Sequence, residues 1–94
     1  MMEIVLDGAY WRTRDDFYED FLKAVGAPEW HGRNLNALND SIGTGSINEV
    51  EVPYVVIVRG LSSMSPEARQ MVELFCGLIR NLRGEGIEVD VQCE

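Results

Sequence analysis

Residues 54–60 read YVVIVRG, an unbroken run of apolar, mostly β-branched side chains closed by arginine and glycine. A strand with one wet face alternates apolar and polar residues. A run without alternation needs neighbours on both sides, so this segment is expected at the centre of a sheet. Two further strands follow from pattern. EIVLDG (3–8) is a short apolar run ended by an Asp-Gly turn signal. IEVDVQ (87–92) alternates strictly, with Ile87, Val89 and Val91 inward and Glu88, Asp90 and Gln92 outward.

Helical segments separate these strands. In TRDDFYEDFLKAVGAPEW (13–30), Thr13 can bond the Asp16 amide, and acidic residues occupy the first turn, where the helix dipole is positive. Phe17, Phe21, Leu22 and Val25 form its apolar stripe, and Gly26 and Pro28 end it. Leu35, Leu38 and Ile42 follow a cap at Asn34 with the spacing of a short second helix. GTGSINEVEVP (43–53) is expected to be a flexible connection. SSMSPEARQMVELFCGLIRNLRGEG (62–86) opens a helix with Ser65, Pro66 and Glu67 and closes it with glycines. Its broad apolar face holds Met71, Phe75, Leu78 and Leu82, joined by Val72, Leu74 and Ile79. Strands joined through helices pair in parallel by right-handed crossovers. The expected fold is α/β and two-layered, a three-stranded parallel sheet with helices packed mainly on one face. A chain of 94 residues suffices for one such core, so residues 1–94 are expected to form a single domain.

Sixteen acidic against eight basic residues leave a formal net charge of −8, with no dense cluster of Lys and Arg. Direct nucleic-acid binding needs a basic stripe that displaces counterions from phosphates, and this chain has none. A basic protein partner suits the field better, and a charge that serves solubility alone is the other reading. Cys76 and Cys93 lack CxxC spacing and nearby histidines, so both are expected as reduced thiols, neither a zinc site nor a redox pair. No ligand spacing calls for a metal, and nothing calls for a cofactor. The opening MMEIVLDG has no basic region followed by a long apolar stretch, and no apolar run approaches membrane-spanning length, so the expected setting is cytoplasmic and the expected free state monomeric.

The densest functional signal is EWHGRNLNALND (29–40). His31, the one histidine, is the default acid or base near neutral pH, but it stands without a second placed group; a partly exposed turn or interface contact is the simpler role. Asn36, Asn39, Asp40 and Gly43 recur at helical spacing on the face opposite the leucines. That face is polar yet almost free of the Lys and Glu that crowd a merely solvated helix. Trp30, in the turn before it, is either an interface anchor or a cover for the inter-helix core, and the residues leave both open. The pairs GTGS and RGEG do not follow a strand and open a helix, so turn and cap roles fit them better than phosphate cradles.

The stretch GAPEWHGRNLNALNDSI resembles the barstar family of ribonuclease inhibitors, whose characteristic run is Gly-x-Asn-Leu-Asp-Ala-Leu-Trp-Asp after a Pro-Glu-aromatic step. The preceding TRDDFYEDFLKAVG, the IVLDG and VPYVVIVRG strands, the long helix and the closing EGIEVDV occur in family order, so the resemblance spans the chain. It implies a three-stranded parallel sheet flanked by helices and a non-enzymatic, stoichiometric inhibitor or immunity protein. Such a protein plugs a basic secreted ribonuclease or nuclease toxin with the second helix and the loop before it, residues 29–45. By position, Asp40 matches the principal acidic contact, Trp30 the aromatic of the preceding loop and Asn34 the asparagine at the helix start. His31 and Gly43 lie in the same stretch. Asn36 replaces an aspartate and Asn39 a tryptophan; Gly45 stands where another tryptophan occurs, and Asn81 where the last helix carries a peripheral acid. A face expected to carry several charges therefore keeps one. A non-catalytic regulator on the same fold, with a non-nuclease partner, is the alternative these departures support.

Overall fold

The structure, a computed structural model, describes residues 1–94. Its elements run β1 (Met2–Asp7), α1 (Arg14–Ala24), α2 (Leu35–Gly43), β2 (Tyr54–Arg59), α3 (Pro66–Gly84) and β3 (Val89–Cys93), with a 3₁₀ turn over Leu61–Ser63. Local chemistry accounts for the helix boundaries. Thr13 Oγ1 accepts from the Asp16 amide at 3.3 Å, while the Asp16 carboxylate accepts from the amides of Arg12 and Thr13 at 2.7 and 3.1 Å. This reciprocal cap satisfies donors that have no partner within the helix. The same two amides, that of Arg12 foremost, hold the Asp16 carboxyl below the usual carboxylate range. The helix ends at Ala24, next to the stop expected at Gly26, which turns the chain with φ +65° under Glu49; a Cβ there would lie 2.8 Å from the Cβ of Glu49. Pro66 opens α3 behind its cap, Ser65, whose hydroxyl accepts from the Ala68 amide at 3.1 Å.

The sheet is parallel throughout, in the order β1-β2-β3, with Ile4 opposite Val56 and Val56 opposite Val91. Strand order equals chain order, so both crossovers step the same way across the sheet, and crossovers of one hand then lie on one face. All three helices pack there. Ile4, Leu6, Tyr54, Val56, Val58 and Val89 join Phe17, Phe21, Leu38, Phe75, Ile79 and Leu82 in one continuous core. Phe17, Phe21 and Phe75 are fully buried with ring centroids 4.9 to 5.7 Å apart, and burying each contributes about 1.5–3 kcal/mol. That aromatic contact locks α1 to α3 and leaves α2 seated at their flank.

The central strand lies mid-sheet with the helices on one face, as expected. Val55 and Ile57 are buried but stand outside the core cluster, on the sheet face that α1, α2 and α3 leave open, between the edge-strand residues Glu3 and Asp90, and Val5 and Gln92. Position at the centre of three strands, rather than a second layer, accounts for the unbroken apolar run. The connection over 43–53 is pinned rather than loose: Val50 and Glu49 donate to the carbonyls of Val25 and Gly26 at 2.9 and 3.3 Å, and Asn48 is buried. Trp11, to which no role was assigned, lies in the core 5.5 Å from Phe17 and donates from Nε1 to Asp20 at 2.7 Å. No helix is long and apolar enough to cross a membrane.

Candidate functional site: the outer face of α2 and the loop before it

Seating α2 decides which of its residues remain available. Leu38, Ser41 and Ile42 are buried, and Leu35 and Ala37 flank them. Asn36, Asn39 and Asp40 are exposed, as the helical spacing requires. Gly43 is the exception. It is half-buried with its Cα turned toward α3, where a Cβ would meet Leu82 Cδ2 at 3.1 Å, so it is a close-approach point and not part of the outward face.

Asn34 is already employed. Its Oδ1 accepts from the Ala37 amide at 2.8 Å as the α2 cap, which fixes the side chain and leaves one lone pair and the amide hydrogens for another molecule. Trp30 is 74% exposed, which settles the choice left open above against a core cover. His31, one residue on, is 7% exposed and not the partly exposed turn residue expected. Its Nδ1 donates to the Gly32 carbonyl at 2.7 Å, because a carbonyl can only accept; Nε2 then accepts from Ser41 Oγ at 2.9 Å. Both ring nitrogens are thus occupied beneath α2. An imidazole so placed binds the loop to the helix and offers neither nitrogen to a substrate or partner.

The electrostatics are asymmetric. Arg33, the one cation in the stretch, is clamped by Asp15 and Glu19 of α1, each at 2.7 Å, and the hydrogen bonds it donates to Asp15 and then Glu19 raise its pKa further. Its charge is cancelled within the molecule. Asp40, by contrast, has no ion pair or side-chain hydrogen bond; the ion pairs involve Arg33, Arg59 and Arg83 only. It sits in the last turn of α2, where exposed carbonyls carry the negative end of the helix dipole, and that turn holds no basic residue. A helix arranged for stability places acids first and bases last. This one places its only charge at the unfavourable end, which concentrates negative potential at an exposed spot suited to a cation.

The surface extends beyond the expected residues. Leu74, assigned by periodicity to the core face of α3, is 44% exposed, and with Tyr18, Leu35, Asn36 and Met71 it lines a groove of about 530 Å³ between the three helices. Periodicity alone could not separate Leu74 from its buried neighbours. Asp15 and Glu19 stand four residues apart on one face of α1, but that Arg33 meets them depends on how the loop docks beside the helix. After α2, Gly45 (φ +81°) and Ser46 (φ +66°) reverse the chain, and the Ser46 amide donates to the Glu51 carboxylate. A tryptophan at 45 would be strained in that conformation. No group of three or more His, Cys, Asp or Glu side chains is placed to hold a metal ion.

Against known proteins, the family model described as "Barstar (barnase inhibitor)" matches residues 1–94. No curated protein matches the chain.

Proposed function

We propose, for a chain that belongs to the barstar family across residues 1–94, that it is a stoichiometric inhibitor of a basic ribonuclease or nuclease toxin, an immunity protein that closes the enzyme's active site with α2 and the loop before it. The observation that carries this reading is Asp40: an exposed, unpaired carboxylate at the negative end of a rigid helix, beside a loop whose one cation is neutralised from within. Arg, Lys and His side chains organised around an RNA phosphate already suit an anionic oxygen, so a carboxylate delivered on a fixed helix binds them without rearranging either partner. Trp30 supplies the apolar anchor, and Asn34, Asn36 and Asn39 the directional donors and acceptors. Gly43 permits the close seating of α2. The role is non-catalytic, since His31 has both nitrogens engaged inside the fold. The whole chain acts as one domain, monomeric when free, in the cytoplasm.

The test is titration of the protein into a basic ribonuclease of the barnase class, read as RNA cleavage. Activity should fall linearly to zero at one equivalent. Unchanged cleavage at large excess, together with no complex on size exclusion, would reject nuclease inhibition. A second reading, a regulator of a non-nuclease protein on the same fold, draws on Asn36 and Asn39, which give the exposed face one carboxylate where the family pattern has more. It predicts a captured partner that has no nuclease activity and that still depends on Asp40.

A further inference from the structure

Cys76 and Cys93 are far apart in sequence and share no motif, yet the fold brings their sulfurs to 3.5 Å. Cys76 lies in α3, buried; Cys93 is the last residue of β3, exposed. Both are free thiols. They border a cavity of about 180 Å³ at the end of the sheet, lined also by Leu61, Arg69, Glu73 and Arg80. We propose that Cys76 and Cys93 form a thiol–disulfide exchange site that takes a small-molecule disulfide at Cys93 and closes to an intramolecular bond. This rests on the geometry of the pair and is independent of the partner surface.

The order of steps follows from access. The thiolate is the nucleophile, so the first sulfur to react must be both reachable and ionisable. Burial, reinforced by the hydrogen bond to Cys93, pushes the Cys76 thiol up to about 12, which leaves Cys93 as the attacking group. Arg69 and Arg80 outnumber Glu73 at the opening, so its lining favours a small disulfide that carries carboxylates. Cys93 thiolate attacks one sulfur of the small disulfide, forming a mixed disulfide and releasing one thiolate. Cys76 then transfers its proton to solvent or to the departing thiolate and attacks Cys93 sulfur, expelling the second thiol. The two protein thiols lose two electrons and two protons, and the small disulfide is reduced to two thiols. Closure shortens 3.5 Å to about 2.05 Å, a shift within side-chain reach, and staples the terminal edge strand to α3.

Folded protein incubated with oxidised glutathione and then quenched in acid is read by intact mass and peptide mapping. Wild type should become two hydrogens lighter, with Cys76 linked to Cys93 and no bound glutathione. Cys76→Ser should instead accumulate one glutathionyl group on Cys93, and Cys93→Ser should stay unmodified. Wild type that retains two free thiols or a lasting mixed disulfide would overturn the proposal. Glutathione on Cys76 of folded Cys93→Ser at the rate seen for Cys93 would overturn it as well.

Discussion

His31 Nε2 and Ser41 Oγ lie 2.9 Å apart beneath α2, and the opposite ring nitrogen holds the Gly32 carbonyl at 2.7 Å. This one side chain joins the loop bearing Trp30 to the helix bearing Asn36, Asn39 and Asp40, so the two parts of the candidate surface keep a fixed relation. His31→Ala leaves a void and a buried hydroxyl with only the Leu38 carbonyl, 3.4 Å away, to bond. The loss should be about 1–3 kcal/mol in a denaturant melt. Adding Ser41→Ala should cost little more, since the pair acts as one unit; full additivity would show that the contact is not energetically coupled.

Asp40→Ala separates binding from folding. Leaving a nuclease cation buried without its partner should weaken inhibition by about 3–5 kcal/mol, a hundredfold or more. Stability should hold or rise by about 0.3–1 kcal/mol, because the acid opposes the dipole at its end of α2. An unaltered inhibition constant counts against Asp40 as the central contact.

Trp30→Ala should behave alike for a different reason. A ring that is 74% exposed contributes little to the fold, so the free energy of unfolding from a denaturant melt should change by no more than about 0.5 kcal/mol. Buried in a complex, it should contribute about 2 kcal/mol or more. A large loss of stability in the free protein would show that the exposed ring supports the fold and is not reserved for a partner.

Asn36→Asp puts a carboxylate in the first turn of α2, which at present holds none. The dipole favours it there by about 0.3–1 kcal/mol, visible as a higher melting temperature. Binding to a basic nuclease should tighten and become more sensitive to salt. Affinity that falls, with no change in salt slope, would mean that the partner presents no cation at this position.

The pH dependence of stability should carry the mark of Asp16. Its folded pKa is depressed by the amides of Arg12 and Thr13. A depressed carboxylate stabilises the fold above its unfolded value, about 4, and that contribution disappears as pH falls through the folded value. Asp16→Asn should therefore lower the melting temperature at neutral pH, with the gap to wild type closing in acid. A gap that is constant down to strongly acidic pH would show that the carboxylate's charge is not what the cap uses.

Much of this was legible in the residues themselves, because the rules involved act over a few positions. Thr13, Asn34 and Ser65 cap the helices they precede, and the alternation of Val89 with Asp90 and Gln92 marks a strand with one wet face. The outward asparagines and Asp40 follow from a period of 3.6. The same reach explains the misses. Leu74 shares the periodicity of Phe75 and Leu78, and nothing local says that its flank of α3 stays open beside Asn36.

By itself the sequence determined the strands, the helices, their caps and the polar face of α2, since hydrogen bonding along the backbone and side-chain period are local physics. Only the tertiary structure decided that His31 turns inward to Ser41, that Arg33 is cancelled by Asp15 and Glu19, that Val55 and Ile57 are buried without a second layer, and that Cys76 meets Cys93. Each of these depends on how the helices dock on one face of the sheet, and docking is set by the joint packing of residues distant in the chain.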